Sequence, residues 1–300
     1  MFEHSVFRRF RCVALSGPLY RVTAGTIGTV AAAIVTVGSA YANDTSIAAT
    51  PSAVGRPSDG EAATDSEAQR ILAASDAVRN PSRSFGLTTT LIEYHNGRQT
   101  DTNTLQIYAK ADSASGQYRN LIRFVAPARD LDKLMLKNGN DLWFYDPSSQ
   151  ASVRISPRQR LLGQAANGDV VTVNFAKDYH ARLVGDEDVE DGDRVQRHCH
   201  KLALRAAASD VTYDSIEIWI DTQNNRPIKA RFYAESGALL KTAYYRGYQR
   251  ELDVERPTET VIIDGLDRQW VTIMRYSDYA WRDVPESWLQ RDYLSRFKPE

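Results

Sequence analysis

The segment of this sequence that most resembles a reactive or metal-binding centre is His198-Cys199-His200. In an extended strand His198 and His200 project to the same face about 7 Å apart, a separation that two metal ligands can use. Cys199 then points to the opposite face, and no third ligand follows at a suitable spacing. Leu202 and Leu204 continue the histidine face, so the segment reads as a strand passing from a solvent edge into a core, without a metal and without a nucleophilic thiol. The acidic run Asp186-Glu187-Asp188-Val189-Glu190-Asp191-Gly192-Asp193 has the charge for calcium. Counting back from Asp191-Gly192, however, puts Val189 and Glu187 where an EF-hand loop places two of its alternating ligands, and the run reads instead as a solvated hairpin turn.

There is no Gly-x-Ser-x-Gly elbow, phosphate loop, dinucleotide fingerprint or His-Glu-x-x-His. Carboxylates are plentiful, but no pair is singled out for glycoside chemistry. Catalysis is therefore not advertised by any motif, and none of them calls for a cofactor. The chain's conspicuous resource is aromatic: Trp143, Phe144 and Tyr145 are consecutive, and Trp219, Phe232, Tyr233, Tyr244, Tyr245 and Trp270 add to them. Three consecutive aromatics in a strand require cover on both faces. A two-layer core and a curved sheet around an apolar cavity both satisfy that requirement.

These residues must be positioned by strands. Of the 300 residues, 42% are hydrophobic and 25% charged, and 37 Lys and Arg against 38 Asp and Glu leave no bulk field for nucleic acid. From Pro81 onward the apolar period is two: Leu105, Ile107 and Ala109 against Gln106, Tyr108 and Lys110; Leu121, Arg123 and Val125 against Asn120, Ile122 and Phe124; Ile216, Ile218 and Ile220 against Glu217 and Trp219. Turn signals separate the runs at Asn96-Gly97, Asn138-Gly139, Asp146-Pro147, Asp191-Gly192, Asn224-Asn225, Ser236-Gly237 and Asp264-Gly265. With no helix long enough for a crossover, the roughly ten strands predict an antiparallel sheet that curls or closes. Helices are expected from Asp65 to Arg79, where Ile71, Leu72, Ser75 and Val78 share a face, near Ser156 to Leu162, near Asp169 to Tyr179, and from Pro285 to Leu294.

The start of the chain reads as an address. Arg8, Arg9, Arg11 and Arg21 are followed by an uncharged run from Val22 to Val37 and by Ala40-Tyr41-Ala42, which predicts a cleaved signal peptide over 1–42 and export by the ordinary secretory route. Residues 43–64, rich in Ala, Ser, Pro and Gly, are expected to form a disordered leader, and 65–300 one domain. Only Cys199 follows the predicted cleavage point, so no internal disulfide is expected.

Several blocks carry a family resemblance. Phe124-Val125-Ala126-Pro127-Ala128-Arg129-Asp130-Leu131-Asp132-Lys133-Leu134-Met135-Leu136, then Asn140-Asp141-Leu142-Trp143-Phe144-Tyr145-Asp146-Pro147 and Val153-Arg154-Ile155-Ser156, resemble the central block of the outer-membrane lipoprotein-sorting proteins, relatives of the LolA and LolB carriers. Trp219-Ile220-Asp221, Arg226-Pro227-Ile228-Lys229-Ala230 and Gly237-Ala238-Leu239-Leu240-Lys241 resemble that family's hairpin. Val284-Pro285-Glu286-Ser287-Trp288-Leu289 with Tyr293-Leu294 resembles its closing helix, with Trp288 where many members have Phe. The likeness spans Ser66 to Phe297.

The resemblance implies an α+β, mainly β fold: a strongly curved antiparallel sheet forming an incomplete barrel, with short helices as plug or lid, around a cavity for acyl chains, and with no catalytic residues. The expected partners are lipid or the acyl chains of lipoproteins, an inner-membrane export permease and an outer-membrane acceptor. On this reading Phe124, Leu134, Leu136, Trp143, Tyr145, Leu161, Leu162, Phe175 and Trp219 are the expected ligand contacts. Arg123 and Arg154 are the expected partners of polar head groups, and the helices between Ser156 and Tyr179 form the lid. Two other readings stay open: an envelope hydrolase using unidentified carboxylates, and an adaptor module of a membrane transporter.

Overall fold

The computed structural model describes residues 59–298. The signal segment expected over 1–42, and all of the expected leader up to residue 58, lie outside the described residues. Helix α1 (Asp59–Arg79) starts six residues before its expected position, within the stretch assigned to the leader. Glu61, Ala62 and Ala63 are good helix formers, and no proline interrupts them.

After α1 the chain runs outward through β1 (Phe85–His95), β2 (Arg98–Ala111), β3 (Tyr118–Ala126), β4 (Leu134–Asn138), β5 (Asp141–Asp146) and β6 (Ala151–Arg154). A ribbon, β7 (Arg160–Leu162) with β8 (Ala165–Ala166), and a one-turn helix α2 (Phe175–Asp178) follow. The chain then returns through β9 (Tyr179–Glu190), β10 (Gln196–Ala206), β11 (Ser215–Asp221), β12 (Pro227–Tyr233), β13 (Leu239–Glu251), β14 (Val254–Asp264) and β15 (Trp270–Trp281). Apart from β7 and β8 these strands form one antiparallel sheet of 13, ordered β6-β5-β4-β3-β2-β1-β15-β14-β13-β12-β11-β10-β9. The sheet is two meanders joined where β1 meets β15, with Leu91 opposite Met274. The end strands β6 and β9 do not pair, so the curl stays open. Asn96 and Gly97, with φ of 52° and 74°, make the tight β1–β2 turn that their sequence announces.

The inner face carries α1, α2 and the connection between β6 and β9. One continuous core gathers Leu91, Leu105, Ile122, Met135, Leu142, Leu202, Leu204, Ile218, Ala243 and Met274 with Ala68 and Leu72 of α1. The connection is pressed hard onto the sheet: Gly163 has φ of +54°, and a Cβ there would lie 2.3 Å from the Thr272 hydroxyl. The outer face is covered at one end by the C-terminal segment, whose Trp288, Leu289 and Leu294 pack on Tyr108, Leu121, Leu134 and Leu136.

The helical pieces are fewer than the sequence predicts. Ser156 to Leu162 forms a turn leading into β7, because Pro157 and Gly163 bracket it. Between Asp169 and Tyr179 only a 3-10 turn (Asn167–Asp169) and α2 form, since the β-branched run Val170-Val171-Thr172-Val173 disfavours helix. Pro285 to Leu294 contributes two 3-10 turns, Glu286–Leu289 and Arg291–Arg296, split by an extended Gln290 with φ −114° and ψ 135°.

Candidate functional site

An opening onto the inner face lies where α1 ends. A pocket of about 540 Å³ is bounded by Ala73 and Ala77 of α1, Trp281 at the end of β15, Lys177 of α2, and Leu252 with Val254 of the β13–β14 turn. That volume falls within the range of small-molecule sites, about 300–1,000 Å³. Its rim is conformationally unusual: Leu252 and Asp253 both have positive φ, 48° and 71°, where a two-residue hairpin normally takes Asn or Gly. A bulky residue in that region stores strain, and strain collects at functional sites.

The inner wall of the pocket is a clasp of hydrogen bonds more than of packing. Arg79 Nη2 and Asn80 Nδ2 donate to the Val173 carbonyl at 3.1 and 2.9 Å, and Asn80 Nδ2 also reaches Asn174 Oδ1 at 2.7 Å. The Ala176 backbone N–H donates to Asp76 Oδ2 at 2.8 Å. These bonds tie the last turn of α1 to the segment that crosses the inner face.

Asn80 lines both this pocket and a smaller cavity behind it. That cavity, about 90 Å³, and a neighbour of about 80 Å³ share Arg79, Asp169, Tyr245 and Tyr276 as walls. The interior is thus mostly filled rather than an empty apolar sack, and its filling is laced with polar groups. Lys241, 3% exposed, pairs with Asp169, which also accepts a 2.8 Å bond from the Tyr213 hydroxyl. Burial lowers the pKa of Lys241 against the opposing pull of Asp169, and burial raises that of Tyr213. Thr89 Oγ1 and Arg79 Nε, both on the smaller cavity, have no hydrogen-bond partner.

The residues expected from sequence to contact a ligand divide between the two faces. Phe124, Leu162 and Phe175 are buried in the inner core, and Leu161 packs against it. Phe175 lines the 80 Å³ cavity. Leu134, Leu136 and Tyr145, with Trp143 packed against them, face outward beneath the C-terminal segment. Trp219 faces outward at the far end, with Cys199 and Ile228. Arg123 is paired with Asp132 and Arg154 with Asp141, both beside outward-facing positions and remote from the pocket.

His198 and His200 meet Asp188 and Asp186 across the strand pair at 2.8 and 2.6 Å. Those carboxylates stand in β9, so the acidic run is largely strand, and only its end forms the turn. Among the described residues no group of three or more His, Cys, Asp or Glu is placed to hold a metal. Burial pushes the Cys199 thiol up to about 12, which leaves it protonated and unreactive. Among the described residues no helix is long and apolar enough to cross a membrane.

A family profile described as that of an uncharacterized protein matches residues 116–296. No curated protein matches the chain by sequence. Among solved structures, a LolA superfamily protein from Nitrosomonas europaea is 33% identical over 75% of this chain and 98% of that one, with a TM-score of 0.68. The chain belongs to the LolA superfamily. An outer membrane lipoprotein-sorting protein domain from Vibrio parahaemolyticus shares the fold at 20% identity and TM-score 0.65, covering 77% of this chain and all of that one (100%). So does a DUF1329 family protein from Desulfovibrio piger at 18% identity and TM-score 0.66, over 77% and 99% of the two chains.

Within this LolA-superfamily sheet, sequence reasoning missed Arg256, Trp281 and the 252–254 turn. The turn Glu251-Leu252-Asp253-Val254 has neither Gly nor Asn to betray it, and Arg256 sits inside a strand with nothing in its neighbours to mark it as buried.

Proposed function

We propose that the chain is a non-enzymatic periplasmic carrier that takes up lipid, or the acyl chains of a lipoprotein, through the pocket at the end of α1. The observation that carries this reading is the 540 Å³ pocket opening beside a hydrogen-bonded clasp on the inner face of an open, curled sheet. The cavities behind it, about 90 and 80 Å³, are too small for a whole chain, given that a cavity of about 150 Å³ holds one benzene. Loading then requires the 167–178 segment to move, as a lid does. The driving force is burial of methylenes at about 0.8 kcal/mol each, so a chain of about fourteen gains about 11 kcal/mol over water. Export by a signal segment over 1–42, a permease as donor and an outer-membrane acceptor complete this proposal.

The test is displacement of a neutral fluorescent probe from delipidated protein by hexadecyl amphiphiles. Ala77→Trp adds bulk to an exposed helical position on the pocket wall, and it is expected to weaken binding at least tenfold while changing stability by about 0.5 kcal/mol or less. Binding unchanged in Ala77→Trp, or no binding by the unaltered protein, overturns the reading.

A further inference from the structure

Arg256 is 2% exposed and lines the 540 Å³ pocket. Its Nη1 donates to the carbonyls of Ala77 and Val78 at 3.2 and 2.8 Å, and its Nε to that of Glu251 at 3.2 Å. Every partner is therefore a neutral backbone oxygen. Among the described residues no carboxylate lies within ion-pair distance of it, although a guanidinium stays charged in any protein interior. Burial lowers its pKa, and the opposing groups are only the phenols of Tyr279 and Tyr118. The carbonyls of Ala77 and Val78 belong to the C-terminal end of α1, which carries about half a negative charge, so capping the helix offsets only part of the cation.

The rest of the pocket does not supply the missing charge. Arg83 is stacked on the Trp281 ring at 4.1 Å, Lys177 lines the opposite wall, and neither makes an ion pair among the described residues. Asp76 is already taken by Arg79 at 2.5 Å, which leaves Asp253 as the remaining carboxylate on the lining. Buried charges are ordinarily paired, because an unpaired one costs several kcal/mol. Here a buried cation and two exposed ones converge on an open space bordered by alanine, leucine, valine and tryptophan.

From this juxtaposition we infer that the pocket takes an amphiphile whose polar end is an anion, a carboxylate or phosphate group, seated against Arg256 with Arg83 and Lys177 at the rim and its chain directed inward past Asn80. The inference rests on the carrier reading for the chain and adds the chemistry of the head. With Nε and Nη1 donating to backbone carbonyls, Nη2 is the nitrogen of Arg256 left to donate a charge-assisted hydrogen bond to an oxygen of either anion. A neutral lipid would leave Arg256 as it stands, desolvated and only partly offset by the end of α1.

The experiment compares hexadecanoate and hexadecyl phosphate with hexadecanol, and all three with inorganic phosphate, by displacement of a neutral fluorescent probe from the delipidated protein. The anionic chains are expected to bind at least tenfold tighter than the alcohol. Arg256→Gln is expected to bring them within about twofold of it, with the affinity for the alcohol unchanged. Because Arg256 also caps α1, the double variant Arg83→Ala/Lys177→Ala, at exposed positions, provides a second reading: a threefold or greater loss of the preference with an unchanged melting temperature. Equal binding of acid and alcohol overturns the anionic head and leaves the carrier standing. Binding of inorganic phosphate as tight as that of hexadecyl phosphate also overturns it, assigning the cations to a free anion. Failure of every chain to bind overturns the carrier reading, and this inference with it.

Discussion

The two faces of the sheet are built from similar strands and are finished in opposite ways. The outer end under the C-terminal segment is closed by aromatic contacts: Trp288 meets Tyr108 edge-on with ring centres 5.2 Å apart and Phe297 at 4.9 Å, and Arg291 lies 4.0 Å over Trp143. The inner face is closed by a segment whose Asp169 pairs with Lys241 of β13 and accepts from the Tyr213 hydroxyl, and free volume remains beside it, next to Thr89 Oγ1 and Arg79 Nε, which have no hydrogen-bond partner. Dense edge-on aromatic packing leaves little free space to move into, whereas a polar cluster with unsatisfied members and a cavity beside it can exchange partners among a few discrete arrangements. On the carrier reading proposed above, the outer face is permanent cover and the inner one is the side that rearranges.

The largest effect is expected where the inner face is most committed. Lys241→Met strands Asp169 with only the Tyr213 hydroxyl and the Ala166 N–H, and is expected to cost about 3–5 kcal/mol in urea unfolding. Adding Asp169→Asn should recover part of that loss; a double variant as unstable as the sum of the singles would mean that the pair is not coupled. On the outer face Trp288→Ala is expected to cost about 3–5 kcal/mol through the cavity it leaves, with chain binding at the α1 pocket unaltered. A parallel loss of binding would erase the distinction between the faces.

The smallest effect concerns Glu286, which pins the C-terminal segment to Arg119 and Lys110. Hydrogen bonds from those two side chains hold its carboxyl down at about 2. Its contribution to stability is therefore complete above the ordinary carboxylate value near 4.5 and is lost as pH falls from there through about 2. The difference in melting temperature between the unaltered protein and Glu286→Gln should narrow steadily over that window; a constant difference would show that the pair holds nothing in place.

The alternation of Leu105, Ile107 and Ala109, and the turns at Asn96-Gly97 and Asp191-Gly192, made most of the sheet legible because each strand states its own period and ends on its own turn chemistry. The faces were not legible. A period of two separates Leu134 from Met135 without saying which of them meets α1, and it was the aromatic content of Trp143 and Tyr145 that drew attention to what proved to be the outer side. Arg256 escaped notice for a related reason, since its isolation from carboxylates exists only once α1 and β14 have been brought together in space.

The seam between β1 and β15 joins the first strand of the sheet to its last. Neither meander can be locked against the other until Trp270 to Trp281 has been delivered, so the native curl is unavailable to a chain still missing its final stretch. Pairing of such distant partners is slow, because a long loop must be closed before the contact is gained. A polypeptide that cannot complete its fold early stays threadable for longer, which would suit the export proposed for this chain.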